Sequence, residues 1–421
     1  MSFEEMLKTA REALAAGQPV RDANSLRFAA LAEELVGDTA RLATFVALIE
    51  EVAAGAQAAG LASEAQAAVG LAPGPLFDLG YELVEQGLPQ LAIPVLRHVN
   101  ALVPNQPQVL AELAVACRDS ERSDLAVSVL LASAEAVRGD FWLRFLLCSA
   151  ALDCGDLVTA EAWIEGLEPG SGDDEAAAAE GVRGVLRRCR RTSDACGGPD
   201  RMDVRAWTYG LNGTLVLHLS PFGFDDGMNG RYAYTQDSAG SIHRELLRLV
   251  DVLTQTNRLP AVVHALSDRG SAIVAAALAR LVGCTVAPYE AGGGGLVVGY
   301  STDRFEEADL QLLAEAREPL FVRAVQWTRG PSRNPDLAGF LHQTLVAPWD
   351  ECSRPKKGGG LEKVPASDEP VEVWVERILA SDGGLGDEDF DDLPAVRALA
   401  GLGAAPGPRW YTGPIRSSRF L

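Results

Sequence analysis

The sequence predicts a multidomain α plus α/β protein, in which a helical repeat array precedes a three-layer α/β domain with a largely parallel sheet. Two observations predict it. Spacings of 34 residues separate Ala92 from Ala126 and Ala126 from Ala160, and each alanine stands in a similar apolar phrase. A fixed period of this length is typical of stacked helix–turn–helix units. From about Met202, short β-branched runs alternate with amphipathic helical runs, as in α/β domains.

These patterns divide the chain into five segments. N-terminal helices are expected over residues 1–72, and the helical repeats over 73–172. A helix and a linker are expected over 173–200, and the α/β domain over 201–350. A linker, short helices and a tail complete the chain over 351–421.

The segment 1–72 carries apolar residues at helical spacing. They form three stripes: Leu7, Ala10, Leu14; Leu26, Ala29, Leu31, Leu35; and Leu42, Phe45, Leu48, Ile49, Val52. We interpret this segment as a degenerate repeat with capping helices, because a repeat array has to cover its exposed end. A signal peptide would be basic at the position of Glu4 and Glu5, so we expect an amphipathic helix here and not a signal peptide.

Composition limits the possible partners. The chain has 421 residues with 37 Lys and Arg against 58 Asp and Glu, so its formal charge is −21. This negative charge disfavours nucleic-acid binding, because such binding depends on neutralising phosphates. It also disfavours docking to an anionic membrane surface. No apolar run approaches the length of a membrane-spanning helix. We therefore expect neither a nucleic-acid nor a membrane partner.

The seven cysteines are scattered and form no CxxC pair. This pattern argues against a disulfide framework and against a zinc site. Reduced cysteines in a cytoplasmic protein are the simplest interpretation, with no metal and no cofactor expected.

The repeat block resembles the tetratricopeptide repeat (TPR) family. The first unit carries the pattern at Leu76, Leu79, Gly80, Leu83, Ala92, Leu96 and Pro104. The second fits at Leu110, Leu113, Ala114, Cys117, Ala126 and Leu130, and the third at Leu147, Cys148, Ala151, Ala160 and Ile164. Arg144 occupies the first aromatic position of the third unit. Small residues allow close helix crossing, and proline stops a helix.

The resemblance implies that the first helix of each pair lines a concave groove. The implied groove residues are Phe77, Tyr81, Val84, Ala111, Val115, Arg118, Trp142, Phe145 and Ser149. This set lacks the lysines and asparagines of the family's clamp for acidic chaperone tails. An apolar or amphipathic segment, bound as a helix, is the expected occupant. Alternatively, the same residues pack against helices of the chain itself, since large exposed apolar patches are uncommon on monomers.

Residues 170–174 break the array and precede an Ala-rich helix that starts near Glu175. That helix ends in a basic cluster: Arg183, Arg187, Arg188, Arg190 and Arg191. Cations are favourable at a helix C-terminus, so we interpret the cluster as a solvated face and not as a phosphate site.

The α/β domain is predicted element by element. A β-hairpin is expected from 207–209 and 214–219 around a turn at Asn212 and Gly213. Helices are expected over 241–256, 272–282 and 309–327, and strands over 261–266, 285–287 and 296–300. Beyond Trp349 we expect a flexible basic linker (353–360), helices over 371–380 and 394–402, an acidic run (387–392) and a basic aromatic tail (408–416).

One segment of this domain is a candidate ligand site. Ser267, Asp268, Arg269 and Ser271 follow a predicted strand and open a predicted helix, where α/β sheets bind ligands. The helix amides and Arg269 could hold a phosphate or a carboxylate. An ordinary capped turn explains the same residues, because no GxGxxG or GxxxxGK[ST] motif is present.

Other polar residues are weaker candidates. His264 and His218 lie in apolar strands and are expected to be core histidines. Asp225 and Asp226 could bind a divalent cation through their carboxylate oxygens, but they lack the EF-hand spacing. The glycines at 292–295 lead into a strand, so we interpret them as a flexible connector and not as a phosphate cradle. No catalytic motif is recognised.

Three functional hypotheses follow. The first is an interaction or scaffold protein whose repeats bind an apolar or amphipathic segment. The second is an enzyme or small-molecule sensor whose α/β half binds a phosphate- or carboxylate-bearing ligand. The third is a structural subunit whose groove is filled by its own assembly. The oligomeric state is left open.

Overall fold

The computed structural model describes residues 38–168, 170, 172–198, 200, 202–222, 228–328, 331–355, 360–382 and 393–403. The chain falls into two compact units that divide between Arg183 and Gly184. The expectations for residues 1–37, Asp225, Asp226, the acidic run and the aromatic tail lie outside the described residues.

The first unit is helical throughout its described part. Its helices are α1 (Thr39–Gly55), α2 (Ala59–Ala68), α3 (Pro73–Glu85), α4 (Pro89–Leu102), α5 (Pro107–Asp119), α6 (Ser123–Ala132), α7 (Ala134–Gly139), α8 (Phe141–Asp153) and α9 (Leu157–Ile164). Successive helices from α1 to α6 pack against each other, as do α8 and α9. In addition, α3 packs on α5, and α5 packs on α8.

Local sequence explains where these helices begin. Proline opens α3, α4 and α5, where its fixed φ suits the first turn and its missing N–H costs no hydrogen bond. The carboxylates of Asp140 and Asp156 accept from backbone N–H groups in the first turns of α8 and α9.

Close helix crossing explains the small residues of the repeat pattern. A Cβ added at Gly80 of α3 would lie 2.5 Å from Leu96 Cδ2 of α4. Ala92 and Ala126 are fully buried, as are Leu76, Leu79 and Leu83. The expected N-terminal helices are present in the described part of the chain, and their assignment to the TPR family stays a prediction.

The second unit contains a sheet and its covering helices. Its helices are the second half of α10 (Asp173–Cys196), α11 (Val204–Trp207), α12 (Ala239–Gln255), α13 (Arg269–Val282), α14 (Glu307–Glu315), α15 (Val371–Ala380) and α16 (Leu393–Gly401). Its strands are β1 (Leu215–Val216), β2 (Tyr232–Gln236), β3 (Val262–Ala265), β4 (Thr285–Pro288), β5 (Leu296–Ser301), β6 (Leu320–Gln326), β7 (Leu337–Val346), β8 (Cys352–Pro355) and β9 (Leu361–Val364).

Seven strands form one sheet in the order β1-β7-β6-β5-β3-β4, with β2 also paired to β7. All of its pairings are parallel. The strands β1 and β2 share one edge of β7, since Leu215 pairs with Leu337 and Tyr232 with His342. The expectation of a largely parallel sheet is therefore confirmed.

Two apolar clusters cover the two faces of this sheet. Alternating residues of β6 divide between them, with Phe321 in one cluster and Val322 in the other. The cluster of Phe321 includes side chains of α12, α13, α15 and α16, whereas the cluster of Val322 includes Val204 of α11 and Leu313 of α14.

The predicted hairpin at 207–219 is wrong. Residues 204–212 are helical, because Asp203 caps α11 and the chain continues into a π-helical turn, Thr208–Asn212. Gly213 adopts a φ of 74°, but it terminates this helical stretch and does not close the expected hairpin. The partner of β1 is β7, which is distant in sequence.

The predicted helix at 309–327 is also wrong. The helix α14 ends at Glu315, and Leu320–Gln326 is the central strand β6. All residues of β6 except Gln326 are buried, and periodicity does not distinguish a fully buried strand from a buried helix. The strand β7 was missed, and part of the expected linker at 353–360 belongs to the β8–β9 hairpin.

Arg188 is not part of a solvated basic face. It is only 4% exposed, and its guanidinium donates to the carbonyl oxygens of Gly210 (2.8 Å) and Leu211 (2.7 Å). A buried guanidinium thus satisfies carbonyl groups of the π-helical turn, which sequence spacing alone did not indicate.

The glycines at 292–295 connect β4 to β5, and β3 lies between these two strands in the sheet. A Cβ at Gly293 would lie 3.1 Å from His264 Cε1, and one at Gly295 would lie 2.3 Å from the Val262 carbonyl oxygen. These glycines therefore let the backbone pass close against β3. The carboxylate of Glu318 accepts from the Gly292 N–H at 2.6 Å.

Candidate functional site

Three helices of the first unit present the residues that the repeat pattern assigned to the groove. We call this the first-helix face: Phe77, Tyr81 and Val84 of α3, Ala111, Val115 and Arg118 of α5, and Trp142 and Phe145 of α8. Tyr81 and Trp142 are each 44% exposed, and the other six are half-buried. Ser149 was expected on this face but is fully buried, so it contributes nothing to the surface.

The aromatic residues of α8 contact each other. The Trp142 ring lies 5.7 Å from the Phe145 ring and 5.1 Å from the Phe141 ring, both in T-shaped geometry. Such pairs favour a defined ring orientation. The exposed part of the Trp142 indole is therefore held by its neighbours on the helix.

Arg118 is the one charged residue of the first-helix face, and it forms a salt bridge within the first unit. Arg118 Nε donates to Asp153 Oδ2 at 2.8 Å, which joins α5 to α8. Asp153 is 3% exposed. Burial raises the pKa of the Asp153 carboxyl, and the adjacent Arg118 opposes that shift. Arg118 therefore positions the two helices against each other.

Acidic groups flank the first-helix face. The pKa of Glu112 on α5 is raised, first by partial burial and second by repulsion from Glu85 on α3. Repulsion between these two carboxylates shows that neighbouring first helices bring like charges together. The apolar face thus has an acidic margin.

In the second unit, the predicted ligand turn follows β3 and opens α13. The Asp268 carboxylate caps the helix by accepting from the Ser271 N–H at 2.9 Å and from the Ser271 hydroxyl. Ser267 donates its hydroxyl to Asp309 at 2.6 Å. Arg269 donates to the carbonyl oxygens of Ser367 and Glu369.

The structure therefore brings Ser267, Asp268, Arg269 and Ser271 together at one turn, and it gives each side chain a partner within the protein. Ser271 is fully buried, and its hydroxyl also accepts from the Tyr300 N–H. These bonds are those of a capped strand-to-helix turn. A phosphate or carboxylate ligand at this turn stays a prediction.

The two histidines that were expected in apolar strands differ in their surroundings. His264 is 7% exposed, and its Nδ1 lies 3.3 Å from the Pro288 carbonyl oxygen, but its Nε2 has no hydrogen-bond partner among the described residues. His218 follows β1, and its Nε2 lies 2.7 Å from the Tyr232 hydroxyl.

Sequence reasoning missed a buried charge cluster between α12 and the sheet. Arg323 of β6 is 1% exposed and binds Asp237 through Nε (3.0 Å) and Nη2 (2.6 Å). Its Nη1 lies 2.8 Å from Glu245 Oε1 of α12. Among the described residues neither of these two atoms has a hydrogen-bond partner, so their contact is an ion pair.

The two carboxyls of this cluster respond differently to burial. Although burial would raise the pKa of Asp237, the guanidinium of Arg323 and hydrogen bonds from Ser241 and Tyr300 lower it. Burial dominates at Glu245 and raises its pKa to about 7 against the opposing effect of Arg323. Asp237 is thus held ionised, whereas Glu245 is poised between its two protonation states near neutral pH.

This cluster borders a cavity of about 220 Å³ in the second unit. Its lining includes His218, Tyr232, Asp237, Arg244, Glu245 and Phe340. Two sequence features could have indicated it. A lone arginine interrupts the apolar run of β6, and Ser241, Glu245 and Arg248 recur at helical spacing along α12.

No described helix has the length and apolar character that crossing a membrane requires. Among the described residues, His, Cys, Asp and Glu side chains form no cluster of three or more suited to a metal ion. A scan against protein-family models and a search of curated proteins find no match to this chain.

Proposed function

We propose that this protein is a TPR-type interaction protein that binds an apolar, helix-forming segment along its first-helix face. The observation that carries the proposal is the pair of exposed aromatic residues, Tyr81 and Trp142, on helices that are joined through α5. Half-exposed aromatic side chains supply large apolar contact area and are frequent anchors of protein interfaces.

The charges of the first-helix face support a specific kind of partner. Glu85 and Glu112 repel each other at its margin, and Arg118 is paired with Asp153. A partner with apolar anchors and flanking Lys or Arg residues would relieve this repulsion, whereas an acidic partner would increase it. We therefore propose a basic, amphipathic segment as the occupant.

A reducing compartment fits this proposal. All seven cysteines are free, and Cys117, Cys148 and Cys189 are buried. Disulfides are rare in the cytosol because thiols are kept reduced there. We propose the cytoplasm as the site of action.

The proposal can be tested by selection from a displayed peptide library. Its members would carry random apolar positions at helical spacing, flanked either by Lys and Arg or by Asp and Glu. We expect enrichment of basic-flanked peptides with aromatic or aliphatic anchors. Trp142→Ala should weaken their binding at least tenfold, because a central aromatic anchor contributes about 2 kcal/mol or more.

A matched control is Tyr234→Ala, which removes an aromatic side chain that is 57% exposed in the second unit. This variant should bind the selected peptides as the parent protein does. Enrichment of no sequence, or equal loss of binding in both variants, would show that the first-helix face is not the binding surface. In that case the face is covered by the chain itself or by its assembly.

The competing hypothesis, a phosphate or carboxylate ligand at Ser267–Ser271, has less support. All four side chains already bind groups of the protein, and the Asp268 carboxylate is itself the cap of α13. An anion at this helix start would have to compete with that carboxylate.

A further inference from the structure

The cavity beside Arg323 has the size of a small-molecule site and not of a peptide groove. Its volume is about 220 Å³, and it lies between α12, the edge strand β2 and the strands β6 and β7. Pockets for drug-sized ligands span about 300–1,000 Å³. A ligand of this cavity would therefore be as small as a monosaccharide.

Glu245 contributes to this lining a buried carboxyl with an oxygen that has no hydrogen-bond donor among the described residues. Its side chain is 6% exposed, and Oε1 turns toward the Arg323 guanidinium. A Cβ at Gly339 would lie 1.5 Å from this same Oε1, so Oε1 is held against β7. Within the described part of the chain, Oε1 accepts no hydrogen bond. Buried carboxyls without donors are costly, so a donor inside the cavity would stabilise this one.

Charges of both signs line the cavity. Asp237 and Glu245 face it together with Arg244, Arg248 and Arg323. A cation would meet the guanidinium groups and an anion would meet the carboxylates, each at a desolvation cost. A hydroxyl group avoids both conflicts, because it donates to a carboxylate and accepts from a guanidinium.

Glu245 suits a hydroxyl ligand in a second way. Burial raises its pKa to about 7, so both protonation states are accessible near neutral pH. The ionised form accepts from a hydroxyl and the protonated form donates to one. Asp237 cannot play this part, because Arg323, Ser241 and Tyr300 already occupy its oxygens.

The aromatic wall completes the site. The Tyr232 and Phe340 rings lie 5.5 Å apart in T-shaped geometry, and both border the cavity. Apolar walls with a few placed polar groups are typical of ligand sites. The C–H face of a ring-shaped polyol would contact such a wall while its hydroxyls reach Glu245.

We propose that this cavity binds a neutral polyhydroxylated molecule of monosaccharide size, with the Glu245 carboxyl as the acceptor of a ligand hydroxyl. This site is independent of the first-helix face and lies in the other unit of the chain. One chain would then combine peptide binding with recognition of a small polyol.

The test is saturation-transfer NMR and calorimetry on the full chain with glucose, galactose, ribose and myo-inositol as probes. Inorganic phosphate and citrate serve as anionic comparators. We expect saturable binding of at least one neutral probe at millimolar concentration or below, with no binding of the comparators. Glu245→Gln should weaken it at least fivefold, because charge-assisted hydrogen bonds are about twice as strong as neutral ones.

A second variant keeps the test independent of effects on folding. Gln236 is exposed at the cavity border, so Gln236→Trp should obstruct the entrance and abolish binding. The matched control Tyr234→Trp changes an exposed residue of the same strand outside the lining and should bind normally. Binding of no neutral probe, which would mean a cavity filled by water only, overturns the proposal. Binding of only the anions, or equal binding by all variants, also overturns it.

Discussion

Gly339 shows how one residue determines the packing between β7 and α12. A Cβ at this position would lie 1.5 Å from Glu245 Oε1 and 2.3 Å from the Arg323 carbonyl oxygen. The side chain of Glu245 could move, but the backbone of the adjacent strand could not move without breaking the sheet. The buried charge cluster therefore depends on the absence of a side chain here.

We expect Gly339→Ala to lower the free energy of unfolding by about 1–3 kcal/mol, the usual cost of overpacking a core. Urea denaturation monitored by circular dichroism would measure it. The control is Gly401→Ala in α16, where an added Cβ meets nothing within 4 Å and no such loss is expected. Equal midpoints for both variants would contradict the close packing at Gly339.

Glu245 makes the stability of the protein depend on pH. Its pKa is raised from 4.5 to about 7 in the folded protein, so the folded state keeps a proton that the unfolded state loses. The contribution of this proton to the free energy of unfolding is fully present below about pH 4.5 and is lost as the pH rises through about 7. Asp237 affects the stability of the folded protein at lower pH. Because its pKa is lowered, its stabilising contribution is lost on acidification.

We expect the difference in unfolding free energy between the parent protein and Glu245→Gln to fall by about 1–3 kcal/mol from pH 5 to pH 8. Urea denaturation at several pH values in this range would measure it. The other titratable groups are the same in both proteins, so their contributions cancel in this difference. Two parallel stability curves would show that Glu245 is ionised throughout this range.

At the scale of single elements, the helix α13 shows how a local cap and a distant contact combine. Asp268 caps its first turn, and Gly283 ends it with a φ of 79°. Both signals are visible in the sequence. The docking of Arg269 onto the carbonyl oxygens of Ser367 and Glu369 is not, because these groups lie about a hundred positions further along the chain.

Replacement of the cap tests its role. We expect Asp268→Ala to destabilise the second unit by about 1 kcal/mol, because the Ser271 N–H loses its acceptor. Asp268→Asn should restore most of this stability, since asparagine caps helices as well as aspartate does. Thermal unfolding of the two variants would distinguish them. A large loss with asparagine as well would indicate that the charge matters beyond capping.

Elements with a strong local signature agree with the sequence-based expectations. The helix α15 spans Val371–Ala380 as predicted, and β3, β4 and β5 fall within one or two residues of the expected strands. The exceptions are β6, which the periodicity predicts as the end of a helix, and β7, which no local pattern indicates. Their stability comes from pairing with each other and from burial on both faces, which a local window does not contain.

At the scale of the whole molecule, the cysteines report on the integrity of both cores. Cys117, Cys148 and Cys189 are buried, whereas Cys154, Cys196, Cys284 and Cys352 are partly exposed. Burial raises the pKa of Cys117 and of Cys148 to about 12, which suppresses the reactive thiolate.

We therefore expect a thiol reagent to modify at most four cysteines rapidly in the native protein. The three buried ones should react only through opening of the structure, about a hundredfold or more slowly. Mass spectrometry of the timed reaction would identify each site, and denatured protein is the control in which all seven react. Equal rates at all seven cysteines would contradict two well-packed cores.

The candidate sites were predictable to different extents. The resemblance of the repeat block to the TPR family indicated the first-helix face. Seven of its residues are at least partly accessible: Phe77, Tyr81, Val84, Val115, Arg118, Trp142 and Phe145. The buried Ser149 was misplaced, because the repeat register does not reveal local burial. The cavity beside Arg323 was not predictable, because its members come from β2, α12, β6 and β7.

The sequence by itself determined the order of a helical half and an α/β half, the approximate starts of several helices of the α/β half, and the parallel character of the sheet. Caps, periodicity and turn residues act between neighbours in the chain, so a local pattern carries them. Only the tertiary structure decided the pairing of β1 and β2 with β7, the burial of Arg188 and the cluster of Asp237, Arg323 and Glu245. These features depend on contacts between distant residues, whose free energy exists only once the chain has folded.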